Sequence, residues 1–140
     1  MAIRHIFTIG YGGRHPQDFL DLLRSHQVGR IIDVRVRPDR AVMGAYVKAR
    51  SPERGIAHLL SSGGIGYAHF LELGNIFLDR DDWQQPYRAL LDSAGVLLLE
   101  RLRRIDEPLC LLCAEKDVTR CHRGIIAAKL AEEGYRVTHL

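Results

Sequence analysis

The sequence predicts an α/β protein, a three-layer α/β/α sandwich built on a mainly parallel sheet of about five strands. Three observations carry this expectation. Short apolar, β-branched runs alternate with segments of helical period, as in βαβ units. Glycine and proline punctuate the boundaries between them. The 140 residues, 46% of them hydrophobic, suit one domain spanning 1–140 around a sizeable core.

The first strand is the run HIFTIG at residues 5–10, stopped by Tyr11-Gly12-Gly13. Pro16 suits the first turn of a helix, and Phe19, Leu20 and Leu23 then share one face until Gly29. A second strand, residues 30–36 (RIIDVRV), ends before Pro38 and sets Asp33 and Arg35 on the same side. Residues 39–50 have no clear period. Ser51-Pro52-Glu53 reads as a helix start, with Ile56, Leu59 and Leu60 as its apolar stripe and Gly63-Gly64 as its stop. A short strand is expected at 65–69, followed by a loop or lid over 70–85. Residues 86–104 are helical up to Pro108, with Gly95 tolerated inside. The run LCLLCA at 109–114 reads as a central strand buried on both faces. A helix over 121–133, stopped by Gly134, and a closing strand at 135–140 complete a Rossmann- or flavodoxin-like order.

Composition narrows the function classes. Twenty Lys and Arg against 17 Asp and Glu give a formal charge of +3, which permits an anionic partner without a basic stripe for duplex DNA. The Arg101–Arg104 cluster reads as a solvated helix end. No apolar run approaches the ~18–20 residues that span a bilayer, so a cytoplasmic protein without membrane contact is expected. Three cysteines are too few for a disulfide framework, and reduced thiols are expected.

In open parallel sheets ligands bind beyond the carboxyl ends of the strands, and three of the loops there carry chemistry. The strongest runs from Cys113 through Glu115 and Arg120 to Cys121, His122 and Arg123. A strand end and a helix start can bring two thiols and an imidazole together. The helix N-terminus with its basic neighbours favours an anion there, either a Cys121 thiolate or a bound phosphate, sulfate or carboxylate. Six residues separate Cys113 from Arg120, more than in the phosphate-binding cysteine loops of tyrosine phosphatases or rhodaneses. A zinc ion held by Cys113, Cys121 and His122 with His69 or Glu115 is a weaker reading, because no C-x-x-C pair exists. No metal and no cofactor is therefore assigned. In the first loop, Gly10-Tyr11-Gly12-Gly13 falls short of a dinucleotide fingerprint, so tight turning or anion binding remains. In the second, Asp33 and Arg35 form an internal ion pair or Arg35 reaches the pocket. Arg37, Arg40 and Arg50 read as solvated surface, Cys110 as a buried apolar side chain, and Trp83 with Tyr87 as a lid or a base-stacking pair.

The order Thr8-Ile9-Gly10, Asp33-Val34-Arg35 with Pro38, Gly66-Tyr67-Ala68-His69 with Leu73-Gly74, and Leu112-Cys113-Ala114-Glu115 with Cys121-His122-Arg123 resembles the family called domain of unknown function 488. The resemblance runs over essentially the whole chain. It implies a compact three-layer α/β domain of bacteria and archaea with the Cys-Ala-Glu and Cys-His-Arg elements beside one site, and it implies no particular reaction. The chain departs from the commoner family form at Tyr11-Gly12-Gly13 and at Asp39, both on the rim of the expected pocket.

Two functions fit these residues. One is a cysteine-dependent enzyme acting on a small anionic, phosphate- or sulfur-containing substrate, with Cys113, Cys121, His122 and Glu115 as catalytic candidates. Gly10, Tyr11, Arg35, His69, Arg120 and Arg123 would then bind the substrate. The other is a noncatalytic module that binds a nucleotide or nucleic-acid phosphate and uses its cysteines only for packing. Neither reading specifies an oligomeric state.

Overall fold

The computed structural model describes residues 3–140, so the first two residues of the expected 1–140 domain lie outside the described residues. Five parallel strands form one sheet: β1 (His5–Gly10), β2 (Arg30–Asp33), β3 (Gly66–His69), β4 (Leu109–Cys113) and β5 (Arg136–His139), in the order β3-β2-β4-β1-β5. The predicted α/β sandwich is the observed fold. Helices α1 (Pro16–Ser25) and α2 (Gly55–Ser62) cover one face, and α3 (Gln84–Leu98), α4 (Glu100–Arg103) and α5 (Arg123–Glu132) cover the other.

The two-residue alternation of strand side chains builds both cores. Phe7, Ile9, Ile31, Cys110 and Leu112 pack toward α1 and α2, together with Phe19, Leu23, Ile56 and Leu60. Ile6, Ile32, Leu109 and Leu111 pack toward Leu91, Leu102, Ile126 and Leu130 on the other side. β4 lies at the centre, paired with β1 and β2, and all five of its residues are buried.

Several boundaries differ from the expected ones for local reasons. β2 ends at Asp33 rather than at 36, because the Asp33 carboxylate accepts the Arg35 N–H at 3.1 Å and curls the chain. Ser51 does not start α2; its hydroxyl accepts the Glu53 N–H in a separate turn, and the helix opens at Gly55. The segment expected as one helix over 86–104 divides at Leu99 into α3 and α4. α5 starts at Arg123 rather than at 121, since Cys121 is extended (φ −131°, ψ 142°). The stretch without period holds a single 3-10 turn, Gly44–Tyr46, that buries Tyr46 completely. Among the described residues no helix is long and apolar enough to cross a membrane.

The connections create the site. The loop after β1 leads to α1 on one face, while the loop after the neighbouring β4 leads to α5 on the opposite face. A crevice therefore opens where the connections diverge, at the carboxyl ends of β1, β4 and β2.

Candidate functional site

The crevice is held open by close backbone packing. The loop after β4 lies directly on Gly10 and Gly12: a Cβ on Gly10 would sit 1.8 Å from the Glu115 carbonyl oxygen, and one on Gly12 would sit 2.7 Å from that of Ala114. Tyr11 N–H and Gly12 N–H donate to the carbonyls of Cys113 and Ala114 at 3.1 and 2.8 Å. Gly10, expected to bind substrate, is thus a seat for the loop.

Arg123 has the same structural task. It is 1% exposed, and its guanidinium donates to the Glu115 and Lys116 carbonyls at 2.6 and 3.1 Å, holding the loop from within the protein. Burial lowers its pKa from the ordinary arginine value. It does not line the cavity, and its guanidinium is committed to the loop.

A cavity of about 300 Å³ lies outside this loop. Cys113, Glu115, Arg120, Cys121 and His122 line it from the β4 side, and Tyr11 and Arg35 line it from β1 and β2. Arg37 and Arg40, read from the sequence as solvated, are exposed yet border the same cavity. Asn75 and Leu78 close it from the loop after β3. The sequence marks Asn75 only by its place in an irregular Gly-Asn segment; the structure buries it to 3% exposure, with its Oδ1 accepting the Phe77 N–H.

Cys113 and Cys121 are joined by a disulfide, with Cα atoms 6.9 Å apart. This corrects the expectation of reduced thiols. The loop that Gly10, Gly12 and Arg123 fold back brings the end of β4 and the start of α5 into bonding range. Cys110 is the free cysteine; it is fully buried, and burial pushes its thiol pKa up.

His122 is oriented by its far nitrogen. Nε2 lies 2.8 Å from the Val34 carbonyl oxygen, which only accepts, so Nε2 carries the proton and the neutral ring presents a bare Nδ1. That Nδ1 is 3.7 Å from Cys121 Sγ. Burial lowers the imidazole pKa to about 4, against the opposing effects of the Val34 and Leu73 backbone carbonyls. Glu115, considered for orienting this ring, is exposed, and Val34 performs that task. Tyr87 sets its ring edge-on to His122 at 5.1 Å and donates its hydroxyl to Leu73, so it is core rather than lid.

Arg35 is both of the things the sequence allowed. Its Nε and Nη2 donate to the two Asp33 oxygens at 2.9 and 2.7 Å, and Tyr67 donates its hydroxyl to Asp33 Oδ2 at 2.6 Å. Burial opposes its charge, but the bonds to Asp33 outweigh it and raise the pKa. Its Cζ lies 5.2 Å from the Tyr11 ring centroid, and Tyr11 in turn stacks on Tyr46 at 4.6 Å. The remaining nitrogen, Nη1, is buried and has no partner among the described residues. His69 does not reach the cavity; its Nε2 bonds the Arg35 carbonyl oxygen at 2.7 Å.

The donor atoms of Cys113, Cys121 and His122 lie within 4.8 Å of one another, and that group gathers no fourth His, Cys, Asp or Glu among the described residues. His69, the fourth ligand weighed for zinc, is committed to Arg35. Three donors without a fourth protein ligand fall short of a structural zinc set.

No curated protein and no solved structure matches the chain. The family described as domain of unknown function DUF488 matches residues 15–130, a span holding both cysteines of the cavity, His122, Arg35 and the loop that joins them. The chain belongs to this family.

Proposed function

We propose that the protein is a cysteine-dependent enzyme acting on a small anionic substrate, phosphate- or sulfur-containing, in the cavity at the carboxyl edge of the sheet. One observation carries this reading: Cys121 Sγ lies between the bare Nδ1 of His122 at 3.7 Å and the N–H of Arg123 at 3.5 Å, in a cavity bordered by four arginines. In the dithiol form Cys121 is the nucleophile. Its proton passes to His122 Nδ1, and the thiolate so formed supplies beside the ring the opposite charge that the disulfide form lacks. The Arg123 N–H, at the start of α5, stabilises the same thiolate. Arg35 and Arg120 hold the substrate anion, and Arg37 and Arg40 add positive potential at the rim.

The test is the rate of alkylation against pH for the reduced protein and for Cys113→Ser and Cys121→Ser. Cys121 is expected to titrate below the ordinary thiol value of ~8.5 and to react faster with iodoacetate than with iodoacetamide, with sulfate or phosphate protecting saturably. An ordinary pKa and no anion protection would sink the reading. The exposed rim arginines favour one competitor, a noncatalytic phosphate-binding module. Its signature would be unreactive thiols together with polynucleotide binding that weakens steeply with salt.

A further inference from the structure

The bond between the two cavity sulfurs supports an activity that goes beyond anion binding and does not depend on it. We propose that Cys113–Cys121 is an exchange-active disulfide of a dithiol–disulfide oxidoreductase couple, in which an external thiolate enters at Cys113 Sγ and Cys121 Sγ departs.

Access argues for the point of entry. Both cysteines line the basic cavity, and Cys113 is the more exposed of the two, 8% against 4% for Cys121. Cys121 also forms part of the wall of a second cavity, of about 310 Å³, bordered by Trp83, Thr119 and His139. An incoming thiolate in the basic cavity therefore finds more of Cys113 exposed to it than of Cys121.

The leaving group argues the same way. Exchange is faster when the departing sulfur is the better stabilised thiolate. Cys121 Sγ accepts from the Arg123 backbone N–H at 3.5 Å and faces His122 Nδ1. Among the described residues no hydrogen bond reaches Cys113 Sγ, which sits at the end of a buried strand. Cys110, fully buried in the same strand, takes no part and serves as an internal control.

The electrons balance with a dithiol as co-reactant. Its first thiolate attacks Cys113 Sγ, forming a mixed disulfide, while the Cys113–Cys121 bond breaks and its electron pair leaves on Cys121. The second thiol of the reductant then attacks its own sulfur in the mixed disulfide, and Cys113 departs as a thiolate. Two electrons reach the protein, and the reductant leaves as its disulfide. The reverse sequence reduces an external disulfide and re-forms the Cys113–Cys121 bond.

The experiment treats the oxidised full-length protein under native conditions with limiting 2-mercaptoethanesulfonate, traps free thiols with N-ethylmaleimide, and maps tryptic peptides. Lys116, Arg120 and Arg123 place Cys113 and Cys121 in different peptides. The expected product carries the sulfonate thiol on Cys113 and maleimide on Cys121, at least about tenfold over the converse. Cys110 stays unmodified. Adduct mainly on Cys121, or none in the native protein under conditions that modify the unfolded chain, overturns the proposal. Uncharged 2-mercaptoethanol should give the same regiochemistry more slowly. Equal rates for the two thiols would count against the anionic-substrate reading alone and leave the exchange proposal standing.

Discussion

Asp33 determines whether Arg35 can be buried beside the cavity. The carboxylate, fully buried, accepts two guanidinium bonds, the Arg35 N–H and the Tyr67 hydroxyl. Removing it leaves a cation 5% exposed without its partner, so Asp33→Ala should destabilise the protein by about 3–5 kcal/mol in urea unfolding. Tyr67→Phe deletes one bond and should cost about 1 kcal/mol; equal effects of the two changes would refute this ranking. His122 sets a second residue-scale expectation. Its folded pKa is lowered to about 4 by burial, so the native state keeps the ring neutral while the unfolded chain takes up a proton below ~6.5. The stability this provides is complete above the unfolded value and is lost as pH falls toward the folded one, to an extent of about 3 kcal/mol. His5 and His139, also lowered by burial, act in the same direction. Urea midpoints at pH 7.5 and 4.5 should therefore separate more in the wild type than in His122→Asn.

The elements were legible in the sequence wherever burial imposed a period. HIFTIG and LCLLCA declared their strands because both faces are covered, and Phe19, Leu20 and Leu23 declared α1 by their spacing. The site was legible in its largest pieces, since Cys113, Cys121 and His122 lie on one loop at the strand edge where parallel sheets bind ligands. What the sequence concealed depends on contacts between distant residues. Arg123 has the same chemistry whether it faces a ligand or the Glu115 carbonyl, and only the fold shows that it faces inward. The disulfide was hidden because counting three cysteines says nothing about how closely a loop approaches Gly10. That approach is testable. Gly10→Ala would drive a Cβ into the Glu115 carbonyl oxygen and lift the loop off β1, so it should destabilise by about 1–3 kcal/mol or more and slow reformation of the Cys113–Cys121 bond. Gly44→Ala, where nothing lies within 4 Å of the added Cβ, should change neither. A Gly10→Ala protein with wild-type stability and reoxidation would show that the loop can seat elsewhere.

At the scale of the whole molecule, the disulfide links the end of the central strand to the start of the helix on one face, and so ties the site to the sheet. It closes a short loop, since the cysteines are eight residues apart in sequence. On chain-entropy grounds such a loop contributes about 2–3 kcal/mol by restricting the unfolded chain. Reduction should therefore lower stability by that amount while the two cores, to which the sulfurs contribute little, keep the sheet intact. The same reduction frees Cys121 beside four arginines and His122, so in the reduced form a thiolate competes with a bound anion for the same positive field. Sulfate or phosphate should then raise the denaturation midpoint of the disulfide protein more than that of the dithiol protein, because the anion binds only the folded cavity and the thiolate competes with it there. The Cys113→Ser, Cys121→Ser double variant supplies the reference: it should unfold near the reduced wild type and ignore added reductant. If reductant shifts the double variant as much as the wild type, the stability change does not come from this bond. If the anion stabilises the oxidised and reduced proteins equally, binding rests on the arginines alone and the thiolate does not compete with the ligand.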